Sequence, residues 1–142
     1  MASPLRAPLL LLALLALATA TTPKQGLRLL GGIQDADAKE QGVKEALNFA
    51  MTEYNKASND AYHSRALQVV KARKQIVAGV KYFLDVEIGR TTCTKAQANV
   101  ALADCPFHDQ PHLMRKMLCS FQIYSVPWQG KQSMTESSCK NA

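Results

Sequence analysis

The sequence predicts an α+β fold, with one long N-terminal helix packed on a four- to five-stranded antiparallel sheet. One segment has the three- and four-residue apolar spacing of an amphipathic helix, whereas the later segments alternate apolar and polar side chains. Turn-forming residues separate these segments, and the 142 residues contain no internal repeat. A single helix covering one face of an antiparallel sheet is the simplest arrangement of such elements.

The first twenty residues have the pattern of a secretory signal peptide. Arg6 supplies the positive charge, residues 9–17 are only Leu and Ala, and residues 18–20 match the small-residue cleavage pattern. A membrane span needs about 20 apolar residues, so this run is too short to act as an anchor. We therefore expect a secreted, extracellular protein that does not enter a membrane.

The mature chain divides into an arm and one domain. Residues 21–33 contain Pro23, Gly26, Gly31 and Gly32 with little periodicity, which predicts a flexible N-terminal arm. Residues 34–142 then form a domain of ordinary size. Without Arg6, 16 basic residues stand against 11 acidic ones, a net charge of +5. This charge is spread along the chain without interleaved aromatic residues, so we expect no specific nucleic-acid binding.

The helix is predicted to begin at Asp37, because Glu40 three residues later completes a pattern resembling a capping box. Apolar side chains then recur on one helical face. They are Val43, Leu47, Ala50, Met51 and Tyr54. The segment Ser58-Asn59-Asp60 is expected to end the helix.

A β-hairpin is predicted next. Residues 66–74 also tolerate a helical interpretation, but residues 80–88 alternate so regularly that we interpret both as paired strands with the turn at Ala78-Gly79. Ile76 and Val77 then lie at the tip, where apolar side chains indicate a docking surface. The alternative is that they are ordinary strand residues and the turn lies elsewhere.

The C-terminal part is predicted to be a long connection followed by two strands. Residues 94–111 form the connection, with helical propensity only in residues 95–103. Alternation at Met117, Cys119, Phe121 and Ile123 predicts a strand. A turn at residues 127–130 places Trp128 where full burial is not expected, and residues 131–139 complete the sheet.

The four cysteines could form disulfides, bind a metal ion or take part in catalysis. An even count behind a signal peptide predicts two disulfides, and the sequence alone leaves three pairings open. Cys93, Cys105, His108 and His112 have spacing that a zinc site could use, but oxidised thiols could not bind the metal. No thiol remains for a catalytic Cys–His pair, so we expect a non-enzyme with no catalytic residue, metal or other cofactor.

Three separate segments offer contact residues: Leu29-Leu30-Gly31, Gln75-Ile76-Val77-Ala78-Gly79 and Pro127-Trp128. The second resembles the central inhibitory loop, Gln-x-Val-x-Gly, of the cystatins, protein inhibitors of papain-like cysteine proteases. The N-terminal glycine, the Pro-Trp turn and four cysteines in family order extend the resemblance over nearly the whole mature chain. The chain is thus similar to a type 2 secreted cystatin.

The resemblance implies disulfides Cys93–Cys105 and Cys119–Cys139. It also implies that the three segments form one apolar wedge that fills the active-site cleft of a papain-like protease, such as cathepsin B, H, L or S. Inhibition would then be reversible, competitive and tight. The alternative is a secreted module of the same fold, binding or antimicrobial, that has lost inhibition.

A second site is implied by Ser58-Asn59-Asp60. In several cystatins an asparagine of this loop occupies the specificity pocket of legumain, an asparaginyl endopeptidase, and Asn59 matches that position. The alternative is that Asn59 merely terminates the helix. The long hairpin also allows a monomer to exchange its helix and first strands with a second copy, giving a domain-swapped dimer.

Overall fold

The computed structural model describes residues 31–97 and 99–142. The predicted signal peptide and residues 21–30 of the predicted arm lie outside the described residues. The compact unit that contains every helix and strand described below runs from Ile33 to Ala142.

Within the described residues, one α-helix and five strands form the domain, as the sequence predicts. The order along the chain is β1 (Ile33–Asp35), α1 (Gln41–Ala57), β2 (Tyr62–Val77), β3 (Gly79–Thr94), β4 (Lys116–Val126) and β5 (Lys131–Asn141). The strands form one sheet in the order β1-β2-β3-β4-β5, and every neighbouring pair is antiparallel. Short 3-10 helices span Leu102–Asp104 and Pro127–Gln129.

The core lies between α1 and one face of the sheet. The helix contributes four buried apolar side chains, Val43, Ala46, Ala50 and Met51. Alternate residues of the two central strands meet them: Leu84, Val86, Ile88, Phe121 and Ile123. Because side chains alternate across a strand, the same strands turn their other face away from the helix. This packing confirms the apolar alternation and the helical stripe seen in the sequence.

The N-cap of the helix lies three residues after the predicted one, Asp37. The helix begins at Gln41 with Glu40 as its N-cap, and no side chain caps it. Asp37 instead opens a turn, since its carboxylate accepts the Lys39 amide at 2.9 Å and its carbonyl accepts the Glu40 amide at 3.0 Å. The Glu40 carboxylate accepts the Asp37 amide at 3.2 Å, which is the contact that the capping-box pattern predicts, and its other oxygen forms an ion pair with Lys74 of β2 at 2.9 Å.

Two further local predictions differ from the structure. Ile33, assigned to the arm, begins the short strand β1, which pairs with Gln75 of β2. Three residues are too few for their alternation to be recognised in a sequence. The described part of 95–103 contains turns and the start of the Leu102–Asp104 3-10 helix instead of an α-helix. The Cys93–Cys105 disulfide confines this segment to a short loop.

One disulfide joins two strands of the sheet, and the other joins the sheet to the connection that follows β3. Cys119 and Cys139 pair directly across β4 and β5, with Cα atoms 4.1 Å apart. Cys93, near the end of β3, is linked to Cys105 in the following connection. This is the pairing that the resemblance implies. Cys93 and Cys105, two of the four residues of the predicted zinc site, form this disulfide with each other. Oxidised cysteines cannot bind zinc as thiolates, so the predicted site lacks two of its four ligands.

Candidate functional site

The tip of the β2–β3 hairpin carries the first group of predicted contact residues. Val77 pairs with Gly79, so only Ala78 lies in the turn, which confirms the turn position predicted from the sequence. Ile76 and Val77 are 49% and 46% exposed although both are large and apolar. Gln75, the first residue of the motif, lies within β2.

The β4–β5 turn carries the second group. Pro127 opens a 3-10 helix that ends at Gln129, and Gly130 follows with a φ of +63°. Proline at the first helical position fits this geometry because its missing N–H would have no partner there. Trp128 is 70% exposed, so the expectation of incomplete burial is confirmed.

The two turns lie side by side because β3 and β4 pair along their length. Val80 is opposite Ser125, which places the start of β3 beside the end of β4. The Tyr124 hydroxyl donates a hydrogen bond to the Ala78 carbonyl and so ties the first turn to the second strand. A groove of about 930 Å³ lies here, lined by residues that include Ala78, Tyr124 and Trp128.

Gly79 is required by both backbone conformation and space. Its φ is +120°, which side-chain-bearing residues rarely adopt. A Cβ atom at this position would lie 2.6 Å from the Ser125 carbonyl oxygen and 3.0 Å from the Tyr124 ring. The close approach of β4 to the turn therefore depends on the absence of a side chain.

Gly79→Ala is expected to lower the free energy of unfolding by about 1–3 kcal/mol, because the strained backbone and the contact with Ser125 add together. Chemical denaturation of the purified variant measures the loss. Gly130→Ala is the matched control, since its φ is also positive but nothing lies within 4 Å of the added Cβ. Equal losses in the two variants would show that the close approach to Ser125 has no energetic consequence.

The N-terminal contact segment is described only from its glycine onward. Gly31 has a φ of +117°, a conformation that favours glycine. Leu29 and Leu30 lie outside the described residues. Their role stays a prediction from the sequence.

The predicted second site lies at the other end of β2. Ser58 is the C-cap of α1, so the segment does end the helix. Its hydroxyl accepts the Asp60 amide at 3.1 Å, and the Asp60 carboxylate accepts the Tyr62 amide at 3.0 Å. Asn59 between them is exposed. Ile76 lies fourteen residue steps along the strand from Tyr62, roughly 45 Å at the usual rise per residue, so the two candidate sites are far apart.

An ion pair holds this loop against β3. The Arg90 guanidinium contacts the Asp60 carboxylate at 2.7 Å, and the two side chains are only 18% and 13% exposed. Burial raises the pKa of the Asp60 carboxyl, but the Tyr62 amide and the Arg90 guanidinium together lower it below its ordinary value. The carboxylate is therefore charged at neutral pH and accepts all of these hydrogen bonds.

Sequence reasoning did not single out Tyr124 or Arg90. Tyr124 follows the alternation of β4 like any residue on the open face, and Arg90 is one of many basic residues in the chain. Neither has a local signal, because each acts on a segment at least 30 residues away. Only the strand register brings them to their partners.

The described residues were also searched for metal-binding side-chain clusters and for helices able to cross a membrane. Within 31–97 and 99–142, no group of three or more His, Cys, Asp or Glu side chains could hold a metal ion. All four cysteines are in disulfides. Over the same part of the chain, no helix combines the length and apolar character needed to cross a membrane.

An antiparallel sheet with exposed apolar side chains at two adjacent turns has the features that are typical of a domain that binds other proteins. Residues 31–128 match the model of the cystatin domain. The chain is 73% identical to mouse Cystatin-C over 142 residues and 66% identical to human Cystatin-C over 148 residues, with complete coverage of both chains in each comparison. The crystal structure of dimeric human cystatin F superposes with a TM-score of 0.74 at 31% identity, covering 79% of this chain and 88% of that one.

The chain belongs to the cystatin family. It is accordingly an inhibitor of cysteine proteases and not an enzyme. Cysteine proteases are its partners.

Proposed function

We propose that the protein is a secreted, reversible, competitive and tight-binding inhibitor of papain-like cysteine proteases, including cathepsins B, H, L and S. The surface that enters the protease cleft comprises Leu29, Leu30, Gly31, Gln75, Ile76, Val77, Ala78, Gly79, Pro127 and Trp128. We call this surface the wedge.

The observation that carries the proposal is the exposure of large apolar side chains at the tip of the β2–β3 hairpin and in the neighbouring β4–β5 turn. Ile76, Val77 and Trp128 are each at least 46% exposed, although an unused turn is normally polar. The first turn is anchored to β4 through Tyr124, and both turns belong to one continuous sheet. Anchored turns lose little conformational entropy on docking, which supports tight binding by a modest contact area.

The inhibition is non-covalent in this proposal. Leu29 and Leu30 occupy the non-primed subsites of the protease as substrate side chains would, while the chain at Gly31 presents no peptide bond to the catalytic thiol. The two turns block the rest of the cleft. The arm contributes separately, because a tethered segment binds at high effective concentration once the turns have docked.

Titration of active papain with the purified protein tests the proposal. We expect activity to fall linearly to zero at one inhibitor per enzyme, and to return on dilution with competing substrate. Unchanged papain activity at micromolar protein would overturn the proposal and favour a cystatin-fold binding or antimicrobial module. Covalent adducts in the mass spectrum would overturn the reversible mechanism.

The proposal includes a second, independent site for legumain formed by Ser58, Asn59 and Asp60. Asn59 is exposed between two residues whose side chains are fixed by hydrogen bonds. An asparagine held at the apex of an ordered loop suits a protease that recognises asparagine. The separation of roughly 45 Å along β2 supports inhibition of both protease classes at once.

The proposed state is an extracellular monomer, with domain swapping as a route to a dimer. The leader pattern of residues 1–20 and two disulfides support an oxidising, secreted environment. The β2 and β3 strands form a hairpin of 16 residues on each side, so straightening at Ala78 would send α1 and β2 to a second copy. Size-exclusion chromatography distinguishes the two forms.

A further inference from the structure

Arg90 lies near the end of β3 and outside both proposed protease-binding surfaces, yet it contacts the second one. Its Nε and Nη2 atoms donate to the same Asp60 carboxylate oxygen, at 2.9 and 2.7 Å. Its Nη1 atom donates to the Leu113 carbonyl at 3.0 Å. Three of the five guanidinium N–H groups therefore donate hydrogen bonds, two to the loop at Asp60 and one to the β3–β4 connection at Leu113.

The backbone of Arg90 is itself fixed. Its amide donates to the Arg115 carbonyl at 3.0 Å, and its carbonyl accepts the His108 amide at 3.1 Å. The adjacent Thr91 forms a bridge with Phe107. The guanidinium is thus mounted on a part of the sheet that is held by the connection between β3 and β4.

The loop residues on either side of Asn59 depend on this arrangement. The second Asp60 carboxylate oxygen accepts the Tyr62 amide, and the Asp60 amide donates to the Ser58 hydroxyl. The Asp60 carboxylate consequently links β3 to both the loop and the start of β2. Without a cationic partner, a side chain that is only 13% exposed would be a poorly compensated charge.

We propose that Arg90 is the positioning residue of the second inhibitory site: it fixes Asp60 and thereby holds Asn59 in the conformation that legumain accepts. This inference rests on the proposed legumain site and assigns the positioning of its loop to a residue outside Ser58, Asn59 and Asp60. Pre-ordering of the loop increases affinity because the ordering cost is not incurred on binding. Lysine cannot replace arginine here, since it lacks the planar fork that donates in parallel to one carboxylate.

Arg90→Lys tests the inference in the full mature chain, with legumain and papain inhibition measured on the same preparation. We expect legumain affinity to fall about tenfold, as for loss of hydrogen bonds to a charged group, with papain affinity unchanged. Amide hydrogen exchange supplies a readout that needs no protease. Exchange at Asp60 and Tyr62 is expected to accelerate, while exchange in the centres of β3 and β4 stays at the wild-type rate.

Arg65→Lys is the matched control. Arg65 also donates to two carbonyls of the β3–β4 connection, those of Ala103 and Cys105, but it does not contact the Asn59 loop. We expect this variant to leave legumain affinity and exchange at Asp60 unchanged.

Three outcomes would overturn the inference. Legumain affinity and loop exchange could both stay at wild-type values in Arg90→Lys, or papain and legumain inhibition could fall together, which indicates general destabilisation. Arg65→Lys could also have the same effect as Arg90→Lys. If the wild-type chain does not inhibit legumain, the proposed second site is wrong, and the exchange data still decide whether Arg90 orders the loop.

Discussion

Trp128→Ala is expected to weaken papain binding by about 2 kcal/mol or more, roughly thirtyfold in Kd. Trp128 is the most exposed of the large apolar side chains in the described residues, at 70%. Replacing the indole with a methyl group therefore removes apolar surface that is exposed in the free protein and that a bound protease would bury. Since the side chain is mostly outside the core, the free energy of unfolding is expected to change little.

Inhibition constants against papain, combined with thermal unfolding of the same samples, measure both effects. Met114→Ala is the control, because Met114 is also large, apolar and 48% exposed but lies on the β3–β4 connection instead of the wedge. Unchanged papain affinity in Trp128→Ala would show that this tryptophan is not a binding hot spot. A fall in thermal stability would assign it a structural role.

Asn59→Lys is expected to abolish legumain inhibition and to leave papain inhibition at the wild-type value. A lysine side chain is longer than asparagine and charged, so it cannot fill a pocket that selects asparagine. The substitution places no new group near the wedge, because the loop lies at the opposite end of β2.

Parallel assays against both proteases check this result. Asn48→Lys is the matched control, since it makes the same substitution at an exposed position of α1, nine residues from the end of the helix. Loss of both activities in Asn59→Lys would contradict two separate sites. Retention of legumain inhibition would show that Asn59 only terminates the helix.

Most of the fold could be predicted from the sequence because its signals are local. The apolar stripe of α1 and the alternation in β3 and β4 depend on the geometry of single elements, so each is visible without its partner. The turn at Ala78-Gly79 was also predictable, because the alternation becomes regular immediately after it. The missed strand β1 depends on its pairing with β2 at Gln75, which the three residues of β1 do not themselves indicate.

The candidate wedge was predicted in part. Ile76, Val77 and Trp128 could be selected from the sequence because large apolar side chains in turns are unusual. That the two turns lie side by side depends on the β3–β4 register, which no single segment contains. The contact of Tyr124 with Ala78 follows from the same register and has no separate sequence signal.

The sequence by itself determined the element types, the exposed turns and, through its motifs, the resemblance to cystatins. These properties follow from spacing and residue chemistry within a few residues. Only the tertiary structure decided which distant groups meet: Arg90 with Asp60, Tyr124 with the hairpin turn, and the glycine at 79 with β4. The reason is physical, since strand pairing and helix packing set distances between residues whose separation along the chain carries no such information.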